Sequence, residues 1–201
     1  MDAIKEKPIL FNGEMVRALL EGRKTRTSRP MKPQPPDGAC LPVHIPGTNL
    51  WEFAIPPYPD ATFTVKSPYQ VGDHLWVKET WCRTGAGVTL YRATADTQQP
   101  YYAALKWKSA RFMFKKYARI WREVVGVRGE MVREISEEDA KAEGCYGTDR
   151  PDLNLLPLYS AVFKKLWQSL YPGSWERNEW LFVYDLKPLP RPGEDEVINE
   201  A

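Results

Sequence analysis

The chain has 201 residues, 43% hydrophobic and 27% charged, the balance of an ordinary globular protein that can bury a core and suits one domain with insertions better than two. No run approaches 18 apolar residues and the start, M-D-A-I-K-E-K-P, has no apolar h-region, so nothing points to export or a membrane span, and the cytoplasm is the expected compartment. The net charge of +2 says little by itself; its distribution says more.

A first helix is predicted over residues 12–21, capped by Asn12, with Met15, Val16, Leu19 and Leu20 on one face and Gly22 as the C′ residue that lets the chain turn. Residues 30–59 hold nine of the eighteen prolines and little periodicity, which reads as a long surface excursion, a Pro-rich insertion over about 30–68 and not a domain of its own. A turn at Val71-Gly72-Asp73 leads into a strand over 74–82, where Leu75, Val77, Glu79 and Trp81 alternate with Trp76, Lys78 and Thr80. Shorter strands are expected at 88–93 and 101–107, and a strong one at 118–128. Ser136-Glu137-Glu138-Asp139 is a capping-box variant opening a short helix that ends at Gly144. A longer helix runs from about Leu158 to Leu170, a last strand covers 180–186, and an acidic tail over 191–201 is expected to be disordered. The pattern is α+β: one domain over 1–190, with helices flanking a small mixed or antiparallel sheet that could close into a β-barrel.

Cys40, Cys82 and Cys145 are odd in number and widely spaced, so no disulfide framework is implied. Cys40 and His44 could serve as two zinc ligands, but no second pair stands nearby and His74 is alone; neither a metal nor another cofactor is expected.

Residues 106–122 hold seven Lys or Arg and no Asp or Glu, interleaved with aromatic rings. This fits RNA or single-stranded DNA, with Lys106, Lys108, Arg111, Lys115, Lys116 and Arg119 tracking phosphates; an amphipathic element with a solvated face is the plainer alternative. Residues 17–32 add six basic groups against Glu21. Within them, G-R-K-T-R-T-S-R at 22–29 places Lys24 and Thr27 three apart, where a turn would let them converge. A Lys amine made neutral by burial and by the neighbouring Arg23, Arg26 and Arg29 could take the proton of a threonine hydroxyl and so make a nucleophile. A basic loop that binds phosphate or water is the other reading.

Four blocks, residues 8–29, 71–81, 135–144 and 180–186, resemble in order those of the ASCH family, which is similar to the PUA fold of RNA-modifying enzymes, and the likeness is greatest to its phage and prophage branch. The resemblance implies a five- or six-stranded β-barrel with a cleft beside the turn after the first helix. It also implies an amidohydrolase that removes the acyl group from N4-acetylcytidine or a related nucleobase amide. The family's Lys and Thr map onto Lys24 and Thr27, and matching D-A-K-A-E-G puts its Glu at Glu143. Thr27 would attack the amide carbonyl, Lys24 accept its proton, Glu143 orient Lys24 or the deacylating water, and Arg29 hold charge on oxygen. Arg26, Trp76 and Glu79 are further expected substrate contacts. Glu79 falls on an apolar face and needs a partner, for which Lys24 or Arg29 would serve. The Pro-rich excursion and the basic-aromatic run have no counterpart in the compact deacetylases, so the substrate can differ. Other members are RNA binders or nucleases, which leaves a non-catalytic module reading a modified base as the second function class.

Overall fold

The computed structural model describes residues 5–146 and 158–192. In chain order it contains β1 Glu6–Leu10, α1 Gly13–Leu20, β2 Arg26–Pro30, β3 Cys40–His44, β4 Leu50–Ile55, β5 Tyr58–Lys66, β6 His74–Lys78, β7 Trp81–Arg83, β8 Thr89–Tyr91, α2 Pro100–Ala103, β9 Trp121–Met131, α3 Glu137–Ala142, α4 Tyr159–Leu170 and β10 Trp180–Leu189. The fold is mixed α+β, mostly sheet. No helix among the described residues is long and apolar enough to cross a membrane. Residues 193–201, most of the expected acidic tail, lie outside the described residues, and β10 continues three residues beyond the expected end of the last strand.

One five-stranded sheet has the order β1-β6-β9-β10-β2. A barrel would need β1 and β2 to form a ladder with each other. Among the described residues β1 ladders with β6 and β2 with β10, so the expected closed barrel is not formed. The chain divides into two compact units, Met1–Arg23 with Gly72–Glu123 and Lys187–Ala201, and Lys24–Val71 with Val124–Leu186.

In the first unit β1 runs parallel to β6, and β6 antiparallel to β9 through Leu75↔Arg122 and Trp76↔Trp121. Asn12 caps α1 by accepting from Met15 N at 2.8 Å, and Met15, Val16, Ala18 and Leu19 are buried. Gly22, at φ 73°, turns the chain out of the helix as its place in the sequence predicts. The buried Arg122 guanidinium donates to Leu19 O at 2.8 Å and so satisfies a carbonyl at the helix end. The strand expected over 74–82 is two strands. After Lys78 the backbone leaves its ladders with β1 and β9, and Trp81 pairs with Lys108 while Arg92 N donates to Thr80 O. The strand expected at 101–107 is instead the short helix α2, because Pro100 at its N1 position fixes a helical φ.

In the second unit β2 pairs antiparallel with β10, from Leu181↔Pro30 to Asp185↔Arg26. The proline-rich stretch is not an irregular excursion: β3, β4 and β5 form an antiparallel sheet with Trp51, Phe53 and Val65 buried. Phe53 packs edge-on against Trp180 at 5.0 Å and Trp51 against Phe182 at 6.0 Å. Leu181 and Val183 of β10 join Val132, Ala140, Cys145, Phe163 and Trp167 in a core under α3 and α4. Strand alternation turns Phe182 and Tyr184 to the opposite face, alongside their cross-strand partners Arg29 and Thr27.

Candidate active site

Two backbone bonds fix the segment between Gly22 and β2. Thr25 N donates to Ala142 O at the end of α3 (2.9 Å), and Leu186 N of β10 donates to Thr25 O (2.8 Å). This hangs Lys24 beside the helix end. Helix α3 is opened by a capping box in which Ser136 and Asp139 each accept from the other's backbone N–H, and it is closed by Gly144 at φ 89° just past the last turn. Lys24 Nζ therefore reaches Glu143 twice, donating to its carboxylate Oε2 at 2.6 Å and to its carbonyl at 2.9 Å. A cation at a helix C-terminus is favoured by the exposed carbonyls there.

Both side chains are out of water, Lys24 at 0% and Glu143 at 4% exposure. Burial pushes the Lys24 amine below its ordinary range; the Glu143 carboxylate opposes this by charge and hydrogen bond, and the Arg29 guanidinium adds to the lowering. An amine lowered in this way gives up its proton more readily than a free one, which suits it to accept a proton and return it.

Two buried polar atoms near this pair in the chain have no hydrogen-bond partner among the described residues: Thr27 Oγ1 and Glu143 Oε1. Thr27 lies in β2 with no exposure, opposite Tyr184, whose hydroxyl shares a 2.9 Å hydrogen bond with Ser67 Oγ. Burial raises the Tyr184 phenol, and the Ser67 hydrogen bond works against it. Tyr184 and Ser67 were not singled out in the sequence. Tyr184 was findable from period-2 alternation in W-L-F-V-Y-D-L; Ser67 carries no such signal.

No family model, curated protein or solved structure matches this chain.

Of the expected residues, Lys24 and Glu143 come together, and Arg29 acts on Lys24 through its charge. Thr27 follows Lys24 by three residues but bonds to neither member of the pair. Arg26 points elsewhere: it is ion-paired with Asp139 and, at 2.6 Å, with Asp185, while Arg128 also donates to Asp139 at 3.1 Å. This ties β2 to α3 and β10 through the side chains of Arg26, Asp139 and Asp185. Glu79 needs a partner, as its apolar surroundings predict, but the partner is not Lys24 or Arg29. Arg119 forks onto it with 2.8 and 2.9 Å bonds. Trp76 pairs across strands with Trp121 and lies under the Lys78 ammonium, in the first unit. Lys106, Lys108, Arg111, Lys115 and Lys116 are exposed. Arg119 is held by Glu79 and covers the Tyr91 ring at 4.0 Å, so its guanidinium is already engaged within the fold.

Proposed function

We propose that the chain is an amidohydrolase of ASCH type, PUA-like in family, acting in the cytoplasm on N4-acylated cytosine nucleosides or a related nucleobase amide. The observation that carries this reading is the buried Lys24–Glu143 pair. It joins two residues 119 positions apart that the family resemblance had selected independently, and it leaves the Lys amine easier to deprotonate than a free one.

In this reading Thr27 Oγ attacks the amide carbonyl carbon as its proton passes to Lys24 Nζ. Arg29 offsets the charge that develops on the carbonyl oxygen. Collapse breaks the carbon–nitrogen bond, the leaving N4 amine takes the proton from Lys24, and an ester remains on Thr27. Water, oriented by Glu143 and deprotonated by Lys24, then attacks the ester and releases the carboxylic acid. Thr27 recovers its proton from Lys24. The unpartnered Thr27 hydroxyl closes on Lys24 when substrate binds, since catalytic hydrogen bonds often tighten only in the substrate complex.

The test is incubation with N4-acetylcytidine and longer-chain homologues, with free cytidine followed by chromatography. Turnover lost in Lys24→Ala supports the assignment; a wild type inert towards every acyl chain refutes it. The second reading, a non-catalytic module that binds a modified base, is favoured by one observation, that Thr27 Oγ1 does not touch Lys24. It requires base binding without turnover, largely kept in Lys24→Arg.

A further inference from the structure

We propose that the surface formed by residues 106–117 of the first unit is a docking site for a single-stranded polynucleotide, a proposal that does not depend on the hydrolase reading. The segment is neither a long strand nor a long helix. It is two 3₁₀ turns, Ala110–Phe112 and Lys115–Tyr117, fastened to the body by buried Ala110, Met113 and Ala118 and by the paired backbones of Lys108 and Trp81 (2.7 and 3.2 Å). Those anchors force the residues between them outward. Phe112 is 67% exposed and Phe114 65%, two phenyl rings standing in water where burial would stabilise each by about 1.5–3 kcal/mol.

Rings and cations interleave across part of this surface. Phe114 meets Tyr117 edge-on at 6.4 Å, and Tyr117 stacks on Trp81 at 4.8 Å. Lys116 and Arg83 lie 5.1 and 5.7 Å from the Tyr117 ring, and Lys108 lies 5.2 Å from Trp81. Among the described residues two carboxylates form ion pairs in this region, Glu6 with Lys115 and Glu79 with Arg119. Lys106, Lys108, Arg111 and Lys116 form no ion pair among the described residues, and the run itself holds no acid to neutralise them. A single strand offers the complement, a phosphate at each step and a base face for each ring. A duplex hides its base faces, and an acidic peptide of Asp and Glu has no ring to cover the phenyls.

The test is fluorescence anisotropy of a labelled oligouridylate of about 12 nucleotides, titrated with the full chain at several salt concentrations. Four cations on phosphates predict a log–log salt slope near −3, about a 50-fold loss of affinity from about 50 to about 200 mM salt. Phe112→Ala and Phe114→Ala should each weaken binding roughly 5- to 150-fold with the slope unchanged. Arg111→Gln and Lys116→Gln should each flatten the slope by about 0.7. All four side chains are exposed, and unchanged melting temperatures check that the variants remain folded. No binding at low salt overturns the proposal. So does binding indifferent to both phenylalanines, or displacement of the oligonucleotide equally well by polyglutamate or by vesicles of anionic lipid.

Discussion

Glu143→Gln isolates the charge of the buried pair while keeping its shape. Glutamine retains a side-chain oxygen for Lys24, and the residue's carbonyl still accepts from Nζ at 2.9 Å. What disappears is the negative charge that holds the amine's pKa up against burial. Removing one partner of a buried ion pair destabilises by about 3–5 kcal/mol, and the retained acceptor puts this variant near the lower end, about 3 kcal/mol at neutral pH. With a urea dependence of about 2 kcal/mol per molar, the unfolding midpoint moves down by about 1.5 M, read by tryptophan fluorescence. The loss carries a pH signature. In the unfolded chain Lys24 keeps its proton up to about its ordinary value of 10.5, whereas the native variant releases it at lower pH. Between those limits the unfolded state binds more protons, so native stability rises with pH, more steeply than in the wild type, and the deficit narrows toward about pH 10. A deficit below about 1 kcal/mol, or one constant from neutral to alkaline pH, would refute the uncompensated buried charge as its cause.

Thr27→Ala and Lys24→Ala should each remove nearly all turnover of N4-acetylcytidine, with the double variant hardly worse, because residues acting as one unit are non-additive. Lys24→Arg should be as inactive as Lys24→Ala, since a guanidinium cannot give up a proton near neutral pH; active Lys24→Arg protein rules out the general base. Arg119→Met strands the 1%-exposed Glu79 carboxylate and should lose about 3–5 kcal/mol in chemical denaturation, which would fall toward zero if Arg119 were a solvated cation. Phe53→Ala, at a fully buried ring in the proline-rich sheet, should lose about 3–5 kcal/mol; a loss under about 1 kcal/mol would return that sheet to the status of a loose excursion.

What the sequence made legible was local. Asn12 and Gly22 bound α1, and Ser136 with Asp139 opens α3, because caps and C′ glycines act within a few residues. The meander of β3, β4 and β5 was hidden by prolines that sit largely in its connections, although Trp51 and Phe53 alternate with Glu52 as a strand requires. Glu79 was correctly read as needing a partner, but Arg119, 40 positions away, was not identifiable from alternation. Lys24 beside Glu143 was reached through the order of four motif blocks, since helical and strand periods say nothing about residues 119 positions apart. The partners of Arg26, Asp139 and Asp185, were out of reach for the same reason, both being distant in the chain.

The division of each unit among separated stretches of chain bears on how the protein is made. Strand β2 leaves the ribosome early, yet its ladder partner β10 follows far behind, with Arg26 and Asp185 159 positions apart. At roughly 5–20 residues per second, the nascent β2 waits about 8–30 s for its mate. Lys24 likewise emerges long before Glu143 exists to receive it. Through that interval the early strand edges and apolar side chains are open to wrong partners, and folding can finish only after synthesis has passed β10. Yield in a cell should therefore respond to translation speed and chaperone supply more than the stability of the finished fold alone would suggest.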